Sequence, residues 1–206
     1  MVSYIEPMHQ STQPLIAPLF VRVTHWLNAI AVIVMIMSGL KIYNASPIFD
    51  FLFPRELTLG GWLGGALLWH FAFMWLLVIN GLMYLSLNFF TGRFWKKFLP
   101  LSFKELVKDV FDTLKGKLAH DDLSKYNTIQ KLAYLSVILD IIVLVASGLA
   151  IWKSVQFPVL RDLMGGFDSA RVVHFAAMSF AVVFIIVHLV MVALVPKTLL
   201  IMIRGK

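Results

Sequence analysis

A chain of 206 residues that is 60% hydrophobic and 14% charged is neither an ordinary soluble domain, where about a quarter of residues are charged, nor a disordered one. At roughly 20 apolar residues per crossing, it accommodates four or five membrane helices and leaves no room for a separate soluble catalytic domain. The absence of cysteine excludes disulfides, thiolate iron–sulfur clusters, covalently attached c-type haem and a cysteine nucleophile, and the net charge of +7 reads first as a topology signal, with nucleic-acid binding not expected.

The stretch from Met1 to Phe20 holds Glu6 and Pro7 and no basic residue, unlike a signal peptide, so the first apolar run is expected to be retained. Four runs then follow, from about Val21 to Tyr43, Trp62 to Leu87, Ile129 to Trp152 and Val172 to Val195. Each is longer than a membrane crossing requires and none alternates with period two, so they predict helices. The fold class is all-α and integral to the membrane: a bundle of four transmembrane helices in one domain spanning residues 1–206. Between the second and third runs, Ser102-Phe103-Lys104-Glu105 is a capping-box pattern. The apolar positions Phe103, Leu106, Val107, Val110, Phe111, Leu114 and Leu118 trace one face of a helix over about 102–118, which is predicted to lie on the cytoplasmic leaflet.

With the N-terminus inside, thirteen of the eighteen Lys and Arg residues fall on the cytoplasmic side and five on the other. This bias predicts that both termini are cytoplasmic. Trp26, Trp62, Trp95 and Trp152 sit near the interfaces, where aromatic belts form. Gly60, Gly61, Gly64 and Gly65 open the second helix and suggest close helix packing or room for a flat cofactor. Ser38-Gly39-Leu40 and Ser147-Gly148-Leu149 occupy similar depths, a weak sign of duplication.

Of six histidines, His9 and His120 lie in polar stretches and are expected in solvent, His120 beside Asp121 and Asp122. His25, His70, His174 and His188 lie inside apolar helices, where an ionisable side chain is expensive and points to function. His174 and His188 are fourteen residues apart, about 21 Å along a helix and nearly four whole turns, so they share a face at two depths. That separation excludes one four-histidine metal site. It pairs His70 with His174 on the outer side and His25 with His188 on the inner side. Two opposed imidazoles without a carboxylate suit a six-coordinate b-type haem, so two haems are expected. A proton relay would call for intramembrane carboxylates, and only Asp140 qualifies.

Arg22-Val23-Thr24-His25-Trp26-Leu27-Asn28-Ala29, followed by Ser38-Gly39-Leu40, resembles the opening of the bacterial cytochrome b561 and nickel–iron hydrogenase b-type cytochrome superfamily. Trp69-His70-Phe71, Ser169-Ala170-Arg171-Val172-Val173-His174 and the spacing to His188 are similar as well. Tyr126 to Tyr134 looks like the start of helix three in members that partner molybdenum oxidoreductases, and formate dehydrogenase gamma subunits belong to the same superfamily. The resemblance covers about Phe20 to Val195. It implies a diheme cytochrome of the bacterial inner membrane that exchanges electrons between the quinone pool and a periplasmic oxidoreductase, with His25, His70, His174 and His188 as haem ligands.

Arg22 and Arg171 each precede a ligand histidine by three residues and are candidates to pair with haem propionates. Asn28 is placed to support the inner site, and Gln130, Lys131 and Tyr134 are candidates for a quinone head group. Two other functions stay open. A stand-alone superoxide oxidase that reduces quinone would favour a cationic outer funnel, yet the outer loops set Arg55, Lys153 and Arg161 against Asp50, Glu56, Asp162 and Asp168. A haem-free transporter or channel would favour discontinuous helices and substrate-facing acids.

Overall fold

The computed structural model describes residues 16–115 and 126–205. His9, His120, Asp121, Asp122 and Leu118 lie outside the described residues. Among the described residues, four helices are long and apolar enough to cross a membrane: α1 (Leu19–Ala45), α2 (Leu63–Phe90), α5 (Thr128–Trp152) and α7 (Phe167–Leu194). Their 25 to 28 residues exceed the roughly 20 that a bilayer core requires. Between them run α3 (Arg93–Phe98), α4 (Phe103–Leu114) and α6 (Pro158–Leu163), and α8 (Lys197–Arg204) ends the described chain. No strand occurs among the described residues.

The chain goes up in α1, down in α2, up in α5 and down in α7. One side of the bundle therefore carries the first and last described residues with α3, α4 and α8, and is called the terminal side below. The opposite, far side carries α6 and the loop from α1 to α2. Close backbone packing joins α1 to α2 and α5 to α7. Across the two pairs the ring contacts are made by side chains: His25 with His188, His70 with His174, Tyr43 with Phe175 and Phe71 with Trp152.

Local sequence explains the boundaries. α7 starts at Phe167, five residues before the hydropathy onset at Val172, because its opening residues include the polar Asp168, Ser169 and Arg171. α5 starts with a full capping box: Asn127 Oδ1 accepts from the Gln130 amide at 2.7 Å, and Gln130 Oε1 accepts from the Asn127 amide at 3.1 Å. At Ser102 the bond is weaker, the Glu105 amide reaching its Oγ at 3.4 Å. α4 leaves Phe103, Val107, Val110 and Phe111 exposed as an apolar stripe beside Lys104 and Lys108. Asp109 ties α4 to α5 by accepting from the Thr128 amide at 2.7 Å.

The glycines before α2 pack the chain on itself rather than helix on helix. Gly60 has φ +107°, and a Cβ on it would lie 2.4 Å from the Ala66 nitrogen, so only glycine fits this turn. On the terminal side α8 folds back onto α1: Arg22 donates to Ile203 O at 2.7 Å and Trp26 Nε1 to Met202 O at 3.2 Å.

Candidate functional site

The four helical histidines form two pairs, each joining the two halves of the bundle. On the far side, His70 of α2 faces His174 of α7 with ring centroids 6.4 Å apart. Toward the terminal side, His25 of α1 faces His188 of α7 at 6.0 Å. Two metal–nitrogen bonds of about 2 Å, with about 1 Å from each nitrogen to its ring centre, set two imidazoles trans on one iron about 6 Å apart. Both pairs fit that spacing. Among the described residues no group of three or more His, Cys, Asp or Glu side chains could hold a metal ion. The chemistry on offer is thus two separate bis-imidazole positions.

The surroundings of the pairs differ. On the far side, the Ser38 hydroxyl lies 3.1 Å from His70 Nδ1 and the Ser147 hydroxyl 2.9 Å from His174 Nδ1. The edge of each ring rests on the next residue, Gly39 or Gly148, where an added Cβ would sit 3.5 or 3.4 Å from the imidazole Cε1. Above this pair Tyr43, Phe49, Phe51, Phe53 and Phe175 form one aromatic cluster, with Tyr43 stacked on Phe175 at 5.1 Å. On the terminal side, aromatic rings flank the imidazoles instead. Trp26 meets His25 edge-on at 5.4 Å, and Phe184, one turn before His188, stacks on it at 6.0 Å.

Asn80 braces the terminal-side pair from α2. Its buried amide nitrogen donates to Thr24 O at 2.8 Å, next to His25 in sequence, and to Asn28 Oδ1 at 2.7 Å. Asn28 is therefore a partner of Asn80 across the α1–α2 interface. Arg22 and Arg171 sit one turn outward of His25 and His174. Arg22 Nε is buried without a partner. Arg171 bonds to Ser46 O and approaches Asp168 at 3.8 Å.

The remaining candidates are engaged locally. Gln130 completes the cap of α5, and Lys131 Nζ donates to Pro100 O at 3.0 Å. Tyr134 joins Tyr126, with centroids 5.0 Å apart, and buried Phe98 on the terminal side. Tyr84 and Arg93 lie in the same cluster. Burial pushes the Tyr126 phenol up, with Arg93 acting in the opposite sense. Asp140 is buried midway along α5, and its Oδ2 has no hydrogen-bond partner.

Ser38, Ser147 and Asn80 were not recognised as site residues from sequence. The repeated Ser-Gly-Leu was the available signal for the serines. For Asn80 it was an amide in the middle of an apolar run.

A family profile for prokaryotic cytochrome b561 matches residues 17–205. A protein of Azospira oryzae, named as the putative protein-methionine-sulfoxide reductase subunit YedZ1, is 62% identical over 190 residues, which cover 92% of this chain and 96% of that protein.

Proposed function

The chain belongs to the prokaryotic cytochrome b561 family and is a membrane b-type cytochrome, and from that premise we propose that it holds two haems and carries electrons from quinol to a reductase partner across the membrane. His70 and His174 would hold one haem, and His25 and His188 the other. The observation that carries this reading is the pairing of imidazoles at two depths, 6.4 and 6.0 Å apart, each pair bridging the two halves of the bundle. A haem held by two imidazoles supplies one-electron transfer and leaves no coordination position open to small ligands. The chain's own residues fix the rings and keep the two positions about 21 Å apart along α7. Arg22, with its unpartnered buried Nε, and Arg171 are placed to meet propionates.

The Azospira oryzae relative supports the direction of flow. Reducing a sulfoxide to a thioether and water consumes two electrons and two protons, so a subunit serving such a reductase delivers electrons to it. The partner is a periplasmic, molybdopterin-type oxidoreductase acting on methionine sulfoxide in proteins. It docks on the far side, where Phe49, Phe51 and Leu52 are exposed around Tyr43. Quinol exchanges electrons on the terminal side, and the thirteen-to-five bias of Lys and Arg supports a cytoplasmic position for that side at a bacterial inner membrane. Tyr134, with Tyr84, Tyr126 and Arg93, offers polar groups to a quinone head group there.

A reduced-minus-oxidised spectrum of the purified chain, quantified as pyridine haemochrome, is expected to give two b haems per chain. The quinol-reduced protein is expected to be reoxidised by protein-bound methionine sulfoxide only when the reductase partner is present. One haem per chain would overturn the two-site reading. Reoxidation of quinol-reduced chain by the sulfoxide without any partner would overturn the subunit reading.

A further inference from the structure

We propose that Ser38 and Ser147 are matched positioning residues that hold His70 and His174 in the Nδ1-protonated tautomer and lower the potential of the far-side haem alone. The inference rests on the two-haem reading above and adds to it a difference between the haems.

The two serines stand in the same relation to their histidines although they lie 109 positions apart in the chain. Ser38 Oγ is 2.7 Å from Val34 O and 3.2 Å from Met35 O. Ser147 Oγ is 2.7 Å from Val143 O and 3.2 Å from Leu144 O. The Nδ1 atoms of His70 and His174 lie 3.1 and 2.9 Å from these hydroxyls. Each ring rests on the following glycine. Each serine reaches across its own helix pair, from α1 to α2 or from α5 to α7.

Proton counting fixes the tautomer. A hydroxyl has one hydrogen, and a carbonyl has none. At 2.7 Å an Oγ and a carbonyl oxygen need that hydrogen between them, which is the usual back-bond of a helical serine to the preceding turn. The hydroxyl therefore turns a lone pair toward Nδ1, and the hydrogen of that contact belongs to the imidazole. Nε2 is then the bare nitrogen on each ring, available to iron.

An acceptor on the far nitrogen of a ligand imidazole fixes the ring's rotation and raises its basicity. A more basic ligand stabilises the oxidised metal. Both far-side rings have such a hydroxyl. Among the described residues His70 and His174 have a side-chain hydrogen bond on the ring, whereas His25 and His188 have none and make ring contacts to Trp26 and Phe184. The effect is accordingly confined to one haem.

The test is spectroelectrochemical titration of the purified full chain with Ser38→Ala, Ser147→Ala, the double variant, and Ser38→Thr and Ser147→Thr. Each alanine variant is expected to raise the midpoint of the same haem and leave the other in place. The double variant shifts that haem further, and threonine restores it because its hydroxyl makes the same back-bond. Loss of that one haem in an alanine variant, with recovery in the threonine variant, also supports the assignment. Unmoved midpoints, shifts of both haems together, shifts of different haems by the two serines, or loss of both haems would each overturn it. A wild-type chain without two b haems would instead remove the reading underneath, so the two failures are distinguishable.

Discussion

The far-side and terminal-side pairs use the same two side chains and fix them by different physics. Directional hydrogen bonds to Ser38 and Ser147 address each far-side ring on its own Nδ1. The terminal-side rings are held by an edge contact to Trp26 and a stack on Phe184, while Asn80 ties the neighbouring α1 backbone to α2. A hydrogen bond sets rotation and electron density together, whereas an aromatic contact restrains position with little effect on ligand basicity. The bundle thus has one electronically tuned site and one sterically packed site on a single helix, α7.

The largest effects should come from the α7 histidines themselves. His174→Ala and His188→Ala each remove one imidazole of a pair, and each variant is expected to retain one b haem out of two. The two retained haems should differ in midpoint, and the one kept by His188→Ala should be the serine-sensitive one. Pyridine haemochrome quantitation and titration of both variants check this. If either substitution empties both positions, the sites are not independent and the comparison fails.

Asn80→Leu should have a smaller effect, confined to the other site. It removes two cross-helix hydrogen bonds and leaves Asn28 without its amide donor. Such bonds in membrane bundles average about 0.6 kcal/mol and reach about 1.7, so a loss of roughly 1–2 kcal/mol is expected. The thermal midpoint should drop, and the terminal-side haem should move in potential while the far-side haem keeps its value. An equal shift in both haems would show that Asn80 supports the bundle as a whole.

The spans and the paired histidines were legible in the sequence because a bilayer makes both conspicuous. Lipid demands long apolar helices, and an imidazole in such a run stands out. The fourteen residues from His174 to His188 carried the two depths without any tertiary information. The serines were not legible. A helical serine commonly back-bonds to its own preceding turn, so Ser38 and Ser147 look self-sufficient until folding brings His70 and His174 to them. The short α3, α6 and α8 were missed because six to eight residues are too few to establish a helical period. Gln130 reads as a polar group near an interface, and only the reciprocal bonds with Asn127 reveal it as a cap.

The smallest expected effect separates two residues that look equivalent in sequence, Lys131 and Tyr134. Lys131 makes one exposed bond, to Pro100 O, so Lys131→Gln should change stability by less than about 0.5 kcal/mol. It should leave both haem midpoints and the KM for quinol at wild-type values. Tyr134 lies in the cluster with Tyr126 and Phe98, and Tyr134→Phe keeps that packing while deleting the hydroxyl. Tyr134→Phe should raise the KM for quinol several-fold with haem content unchanged, because only a polar contact to the head group is lost. Steady-state reduction of the cytochrome by quinol measures both variants. If Lys131→Gln raises KM and Tyr134→Phe does not, the head group contacts the exposed start of α5. In that case the terminal-side haem exchanges electrons through the Pro100 edge, and the phenol cluster serves only to join α3 to α5.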